Sequence, residues 1–331
     1  MRLGTVALSL MLSDMTILRC PVSGSPLAPG PGSSLMSSEG RSYRVVDGVP
    51  VLVDSEHSVF DVDVASSADS VRSQHEGVRR LLERLVPSPT RSVGSRERFD
   101  RLAQLIAART RPARVLVVGG GIVGEGMVDF VEHADFELVE TDVYVGPRTQ
   151  IVCDAHHLPF ADRCFDAVVA QAVLEHVMDP ERAVAEIHRV LKPEGLVYAE
   201  TPFMQQVHEG AYDITRFTMV GHRRLFGWFD ELDAGVVCGP ATSLIWALRY
   251  FARSLPRRSR LARELLDRAV CITFSWLKYL DDYLVDRPGS VDAASGIYFL
   301  GSKRDSPVSD RDAIASYRGA FKSSPRRRGS A

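Results

Sequence analysis

The stretch RVLVVGGGIVGEG, Arg114 to Gly126, constrains the fold more than any other part of the chain. Its segment Val115 to Val118 is apolar and rich in β-branched residues, which is typical of a buried strand in a parallel sheet. The spacing G-x-G-x-x-G follows at once in Gly119, Gly121 and Gly124. Such glycines allow a tight turn and let a ligand approach the backbone closely. The stretch therefore predicts a strand and a turn that bind a nucleotide-like cofactor.

The elements after the turn extend this site without identifying its ligand. A helix predicted over about 123–132 would point its N-terminus at the ligand. The next predicted strand, FELVETD, ends at Asp142, about 20 residues after the turn. A carboxylate at that position can accept hydrogen bonds from both ribose hydroxyls. Because NAD, FAD and S-adenosylmethionine all carry a ribose, this part of the sequence leaves the choice among them open.

Strand and helix signals continue to alternate between residues 111 and about 240. A third strand is predicted in QIVCDAHHLPF and a fourth at Asp166 to Ala170. A fifth strand follows a helix and a Lys-Pro-Glu-Gly turn, and SGIYFLGSK, Ser295 to Lys303, predicts the final strand. This alternation is typical of an α/β protein with a parallel sheet and helices on both faces.

Several ordered motifs between about Arg114 and Phe226 decide the ligand. The chain carries DAHHLPF, FDAVV, LEHV and RVLKPEG in this order. The region resembles class I S-adenosylmethionine-dependent methyltransferases, in particular the methyltransferase type 11-like family. The resemblance implies a Rossmann-like seven-stranded class I core and S-adenosylmethionine as the cofactor. A flavin or nicotinamide enzyme is the alternative, but flavin fingerprints usually open a chain, whereas this one begins after about 110 residues.

The resemblance also implies a donor site, residue by residue. Asp142 is expected to hold the ribose hydroxyls. Asp154, with the Ala155 backbone, is expected to meet the adenine edge, and Gln171 borders the methionine end. The full set of expected cofactor-binding residues is Gly119, Gly120, Gly121, Asp142, Asp154, Ala155 and Gln171. The glycine turn departs from the family pattern, because Val123 stands where the third glycine is usual and Gly124 follows one place later.

The loop after the fifth strand, Glu200 to Thr218, is dense in functional groups. It resembles a loop of the form P-F … H-x-x-P-x-D-x-x-R-F-T in a subset of bacterial methyltransferases. We predict that His208 is the general base or orients the acceptor, because an imidazole titrates near working pH. Asp213 or Glu209 would hold its ring.

Three residues of the same loop are predicted to contact the substrate: Phe203, Tyr212 and Arg216. The alternative for Arg216 is a salt bridge with Asp213 that locks the loop. Glu175 and His176, in the LEHV motif, are expected mainly to cap and pack the region after the fourth strand.

The N-terminal third is predicted to have three parts. Residues 1–15 are expected to form a disordered extension, with a signal peptide as the less favoured interpretation. Residues 16–55 predict a small β module that resembles the zinc-ribbon-like domain of methyltransferase activators. Ser23 stands where the second cysteine of that motif is usual, so the resemblance implies the fold without the metal, and an unrelated hairpin remains open. Residues 56–110 predict a helical linker.

The methyltransferase domain is predicted over 111–303, with a helical insertion at 241–290 and a disordered tail at 304–331. The insertion is apolar and basic, and its arginines include Arg257 and Arg258. It is expected either to form a lid or dimer-packing pair, or to lie on anionic lipid or grip a phosphate-bearing acceptor.

Composition narrows the function further. The net charge of −2 gives no reason to expect a nucleic-acid partner. The five cysteines include no CxxC pair, so no metal site is predicted. Such scattered cysteines are expected in a reducing cytoplasm. The sequence as a whole predicts methyl transfer to a hydroxyl of a sugar, glycolipid or secondary metabolite. The alternatives are another small molecule, such as a quinone or polyketide, and a non-catalytic scaffold. The oligomeric state is left open.

Overall fold

One sheet organises the described part of the chain, residues 14–60 and 86–320, in the computed structural model. Its strands in chain order are β1 (Leu27–Pro29), β2 (Ser34–Ser37), β3 (Ser42–Val46), β4 (Val49–Leu52), β5 (Ala113–Val118), β6 (Phe136–Asp142), β7 (Ile151–Cys153), β8 (Phe165–Gln171), β9 (Leu191–Pro202), β10 (Phe229–Cys238) and β11 (Gly296–Lys303). Across the sheet they lie in the order β1-β2-β3-β4-β7-β6-β5-β8-β9-β11-β10.

The α-helices of the described residues lie on both faces of this sheet and beyond its ends. They are α1 (Ser95–Ala107), α2 (Val128–Val131), α3 (Pro180–Val190), α4 (Met219–Leu225), α5 (Pro240–Ser254), α6 (Arg260–Phe274), α7 (Asp281–Leu284), α8 (Pro288–Ala293) and α9 (Asp310–Ala315). Short 3-10 turns occur at Met15–Ile17, Gly210–Tyr212 and Ser275–Leu280.

Strands β5 to β11 form the seven-stranded core that the sequence predicts. β7, β6, β5, β8 and β9 are parallel, and β11 and β10 extend the β9 edge in antiparallel orientation. In β5, Leu116 and Val118 belong to one core cluster, and Val115 and Val117 to the other. The strand is therefore buried on both faces, which explains its continuous apolar run. The α/β, Rossmann-like fold class is confirmed.

Two helices cover opposite faces of the core. α1 buries Phe99, Leu102 and Ile106 in the cluster on one face, and α3 contributes to the cluster on the other face. α3 begins where Asp179 accepts a hydrogen bond from the backbone of Arg182, with a proline at the first helical position. This cap satisfies an amide that a helix start otherwise leaves unpaired.

The N-terminal strands do not form a separate module. β1 to β4 make an antiparallel meander, and β4 pairs in parallel with β7, so the meander continues the central sheet. Cys20 is buried in the shared core, with its Sγ 3.0 Å from the Tyr43 hydroxyl. The zinc-ribbon-like resemblance is not confirmed. The expected disorder of residues 1–13 and the helix expected in 61–85 lie outside the described residues.

The helix predicted directly after the glycine turn is wrong in length. The chain from Gly119 to Met127 is a loop, and α2 spans only four residues. The glycine turn is therefore not followed by a helix whose N-terminus points at the ligand. The segment between β6 and β7 is also a loop, as its length predicts, and a groove of about 320 Å³ lies on this face of the sheet.

The C-terminal region is more ordered than the sequence predicts. The expected insertion is present as α5 to α8 and the 3-10 turn between α6 and α7, ahead of β11. The chain after Lys303 was expected to be disordered, but α9 forms there, because Ser309 caps it by accepting from the Asp312 amide. Residues 321–331 lie outside the described part. No described helix combines the length and apolar character needed to cross a membrane.

Candidate active site

The glycine turn closes onto the end of β6. Gly119 has a φ of +73°, and a Cβ there would lie 2.4 Å from Val173 Cγ2, so no other residue fits without rearrangement. The Gly121 amide donates to Asp142 Oδ2 at 3.0 Å, and the Val143 amide donates to Oδ1 at 2.7 Å. The structure therefore brings the predicted turn and the predicted ribose-binding carboxylate together at one edge of the sheet.

The displaced glycine has a local cause. A Cβ on Gly124 would lie 1.7 Å from Gln171 Oε1, so the loop passes directly over the Gln171 side chain. Val123 packs against the second core cluster. The Gln171 amide donates to the Glu125 carbonyl at 3.2 Å, which ties this loop to the end of β8. The shifted glycine therefore lets the loop pack directly on Gln171, the residue predicted to border the methionine end.

A chain of hydrogen bonds through buried polar side chains holds Gln171 in place. Its Nε2 also donates to Glu200 Oε2 at 2.8 Å, while the Tyr198 hydroxyl donates to Glu200 Oε1 and Arg98 Nε donates to Tyr198 at 3.1 Å. Burial raises the pKa of Glu200 above its usual value, and the nearby Arg98 guanidinium opposes that rise. Sequence reasoning missed this network because Arg98 lies on α1, far from β9 along the chain.

Asp154 does not present its carboxylate to a ligand. The group is buried and accepts hydrogen bonds from Ser58 Oγ at 2.6 Å, from the His156 amide at 3.0 Å and from the His156 ring. Burial alone would raise the pKa of Asp154, but the bonds from His156 and Ser58 outweigh it and hold the pKa below its usual value. The side chain thus organises the loop after β7, and the Ala155 backbone remains the predicted adenine contact.

The acceptor loop is locked by an internal ion pair. Arg216 contacts both carboxylate oxygens of Asp213 and donates through Nε to the Gln205 carbonyl at 2.9 Å. Although burial opposes it, the bonds from Arg216 and the His208 amide lower the pKa of Asp213 to about 2. Arg216 therefore holds the loop, which is the alternative that the sequence left open, and its predicted substrate contact is not supported.

His208 lies beside Asp213 and not beside Glu209. The His208 amide donates to Asp213 Oδ2 at 2.7 Å, and its Nδ1 lies 3.1 Å from the same oxygen without the alignment of a hydrogen bond. Glu209 is exposed at the start of the 3-10 turn. The prediction that Glu209 could hold the ring is therefore wrong. Partial burial lowers the pKa of His208, so the imidazole is neutral near pH 7 and able to accept a proton.

The other two residues predicted to contact the substrate, Phe203 and Tyr212, differ in their exposure. Phe203 packs against the small core cluster around Ile297. Tyr212 is 45% exposed and stacks on Phe60, with ring centroids 5.6 Å apart. Tyr212 is therefore available to an acceptor, whereas Phe203 contributes to packing.

Glu175 and His176 anchor the acceptor loop. The amides of Ile214 and Thr215 donate to the Glu175 carbonyl at 2.8 and 3.1 Å. His176 Nδ1 lies 2.8 Å from the Tyr212 carbonyl, and the His176 and His208 rings meet edge to face at 5.2 Å.

The Glu175 side chain is fully buried, and neither carboxylate oxygen finds a hydrogen-bond partner among the described residues. Burial raises its pKa to about 8. The sequence signal for this position was the LEHV motif directly beyond the carboxyl end of β8, where ligands collect in open parallel sheets. The sequence motif alone predicts capping and packing at this position and gives no sign of the unpaired carboxylate.

The sequence matches known proteins in this same region. Residues 125–199 match the family model described as a methyltransferase domain. The chain is 30% identical over 207 residues to the mitochondrial arginine-hydroxylase NDUFAF5 of Mus musculus, which covers 56% of this chain and 53% of that protein. It is 33% identical over 149 residues to the demethylmenaquinone methyltransferase of Renibacterium salmoninarum, covering 42% of this chain and 58% of that protein.

A solved structure shows the same kind of match. Phosphoethanolamine N-methyltransferase 2 of Haemonchus contortus, in complex with S-adenosyl-L-methionine, is 18% identical, with a TM-score of 0.39. The alignment covers 62% of this chain and 53% of that one. The chain thus spans little more than half the length of the relatives named here.

Proposed function

We propose that the chain, whose residues 125–199 match a methyltransferase domain, transfers the methyl group of S-adenosylmethionine to a small-molecule acceptor. The observation that supports this proposal is the meeting of two sites at one edge of the sheet. Gln171 ends β8 beside the glycine loop, and Glu175, four residues later, holds the loop that carries His208. The donor end and the acceptor loop are thus joined by one short segment.

The residues present fit the donor. The turn at Gly119 and Gly121 leaves no room for side chains, and Asp142 closes it at the ribose position. S-adenosylmethionine supplies a methyl group already activated on a sulfonium. The protein has to align the acceptor with that methyl group and remove a proton from an acceptor hydroxyl. We assign the proton to His208, whose neutral, half-buried ring lies on the acceptor loop.

We further propose that the acceptor is a hydroxyl on a lipid-linked sugar or similar amphiphile. Apolar side chains of the insertion are exposed, including Phe251 at 66%, Leu261 at 67% and Trp276 at 59%. Arg257 and Arg258 are exposed between them. Apolar and cationic groups on one helical segment are typical of contact with anionic membrane surfaces. This surface suits an enzyme whose acceptor is held in a membrane.

A quinone ring is the second candidate acceptor. It is favoured by the matched relatives named as quinone-pathway methyltransferases, such as the demethylmenaquinone enzyme. The two candidates differ in the bond formed, because a hydroxyl gives a methyl ether and a quinone ring gives a carbon–methyl bond. A cytoplasmic location, with peripheral membrane contact, completes the proposal.

Isotope transfer tests the activity. The 331-residue chain is incubated with methyl-labelled S-adenosylmethionine and separate lipid and polar extracts, and label should enter a low-molecular-weight lipid product. The product's labelled carbon, located by NMR, distinguishes an ether from a ring methyl. If calorimetry detects no donor binding at millimolar concentration, the protein is a non-catalytic scaffold and the proposal fails.

Liposome sedimentation tests the surface. The chain should sediment with vesicles that contain acidic lipid, and replacing Arg257 and Arg258 by glutamine should release it. Each arginine near such a surface contributes about 1 kcal/mol, so the double variant should bind about 30-fold more weakly. Equal binding of both proteins, or no binding of either, would contradict the membrane contact.

A further inference from the structure

Three side chains at the acceptor edge meet at one point, and two of them, Glu175 and His176, have no role in the methyl transfer described above. Glu175, His176 and His208 each place one potential ligand atom within 4.8 Å of the other two. Glu175 and His176 lie just beyond β8, and His208 lies on the loop after β9. The backbone bonds of Ile214 and Thr215 to the Glu175 carbonyl bring the two segments together.

The Glu175 carboxylate in this cluster lacks partners. Both of its oxygens are buried, and neither has a hydrogen bond within the described part of the chain. Buried polar atoms in folded proteins are almost always paired, so an unpaired buried carboxylate calls for an explanation. A single cation would satisfy the carboxylate and the imidazoles together.

His176 is already in the form that a metal requires. Its Nδ1 lies 2.8 Å from the Tyr212 carbonyl, which can only accept, so Nδ1 carries a proton and Nε2 is the ring atom that can bind a metal. That Nε2 lies 3.8 Å from Glu175 Oε1, near the ~3.4 Å ligand separation expected for ~2.1 Å bonds in a tetrahedral site. Metal-bound histidines almost always donate the other ring proton to such a carbonyl or carboxylate.

The neighbouring residues fix His208 in the same way. Asp213 lies 3.1 Å from its Nδ1 and is itself held by Arg216, so the ring stands on a rigid support. A carboxylate behind a histidine ligand fixes the ring and raises its basicity. The acceptor loop thus resembles the outer shell of a metal site.

We propose that Glu175, His176 and His208 bind one divalent first-row transition-metal ion. Two imidazoles and one carboxylate suit zinc or iron(II), whereas magnesium and calcium prefer ligand sets made of oxygen. Three protein ligands leave coordination positions open. If the proposed function also holds, the ion takes the place of His208 as the group that activates the hydroxyl, because a hydroxyl bound at an open position has a lowered pKa and releases its proton to solvent before methyl transfer. Only this role rests on the proposed function; the binding does not.

Cobalt(II) is the probe, because its visible absorption reports coordination without any turnover. The chain is stripped with chelator, checked by circular dichroism and titrated with cobalt(II), and zinc is then added to displace it. We expect one ion per chain with absorption bands of a four- or five-coordinate site. His208→Asn and Glu175→Gln should each weaken binding by at least ~100-fold, since even outer-shell changes cost 10- to 100-fold.

A second cluster supplies the matched control. Asp54, Glu56 and His57 also lie within reach of one another, but His57 is exposed and its ring already contacts Asp54 at 2.8 Å. His57→Ala should leave the stoichiometry and affinity unchanged. The proposal is overturned if the folded chain binds no cobalt, or if His208→Asn binds it as tightly as the parent chain. Calorimetry with S-adenosylmethionine on the stripped chain tests the donor site separately.

Discussion

The donor edge and the acceptor edge of the sheet treat their carboxylates differently. At the donor edge, Asp142 and Asp154 accept hydrogen bonds from neighbouring amides and side chains, although Gln171 Oε1 is buried there without a partner among the described residues. At the acceptor edge, Glu175, Gln206 and His208 keep buried polar atoms without partners among the described residues. Unpaired buried groups are costly and persist where function requires them. The protein itself thus fixes the carboxylates of the donor edge. The acceptor edge instead has buried polar atoms that can bind a ligand or an ion.

Replacing His208 by asparagine should have the largest effect. It should lower turnover, which depends on the acceptor edge, without changing donor binding, which depends on the donor edge. Removing a positioned proton acceptor or metal ligand lowers rates by about 10²- to 10⁴-fold, so kcat should fall within that range. The dissociation constant of S-adenosylmethionine should stay within about twofold, since the donor contacts are untouched. Single-turnover kinetics and calorimetry measure the two quantities. A variant with normal kcat would remove His208 from the chemistry.

Two buried histidines extend the comparison to acid stability. His156, on the donor side, has Nδ1 against Asp154 and accepts the Asp179 amide at Nε2. His222 lies on α4 directly after the acceptor loop, and its Nε2 has no partner among the described residues. Burial lowers the pKa of His222 to about 3.

Replacing His222 by phenylalanine should therefore reduce the acid sensitivity of the fold. The unfolded chain binds a proton at His222 below pH 6.5, whereas the folded chain does so only near pH 3, so stability falls as the pH drops through this window. At pH 4 the loss is about 3 kcal/mol. Urea unfolding from pH 7 to 4 should show a flatter stability profile for the variant. Parallel profiles of parent and variant would contradict the assignment.

Gly121→Val should affect the donor edge alone, by a smaller amount. A Cβ there would lie 2.6 Å from Asp142 Oδ2 and 3.0 Å from Thr149 Oγ1, so the turn must shift. Overpacking of this kind costs about 1–3 kcal/mol, which corresponds to about 5- to 150-fold weaker donor binding if the strain falls on the donor-bound turn. Calorimetry measures it, and Gly289→Ala, in open space, is the control. Cobalt binding at the acceptor edge should not change.

The sequence predicted the strands and the glycine turn of the donor edge well because their signals are local. The run Val115 to Val118, the glycines and Asp142 follow one another in chain order, and the register of parallel strands brings their ends together. The short helix α2 was missed because Gly124 and Gly126 favour an irregular loop that packs on Gln171 and Ser95. The strands β1 to β4 were expected to stand apart because nothing in their sequence reveals the pairing of β4 with β7.

The acceptor edge was harder to predict because its contacts join distant segments. Glu175 and His176 meet His208 across more than thirty positions. The backbone bonds of Ile214 and Thr215 to Glu175, and the contact of His176 Nδ1 with the Tyr212 carbonyl, hold the two segments together. Glu209 and Asp213 are both carboxylates on the same loop, one and five positions after His208 in the sequence. The choice between them depends on how the 3-10 turn orients each side chain.

Glu209→Ala should have the smallest effect and tests that choice directly. The Glu209 side chain is exposed, whereas the Asp213 side chain is fully buried between His208 and Arg216. Truncating an exposed side chain usually changes stability by no more than about 0.5 kcal/mol, so kcat and melting temperature should stay near those of the parent chain. Asp213→Ala should lower both, because it leaves the Arg216 guanidinium unpaired inside the loop. A loss of kcat in Glu209→Ala that matches Asp213→Ala would mean that the loop rearranges around an acceptor and that Glu209 turns inward to the imidazole.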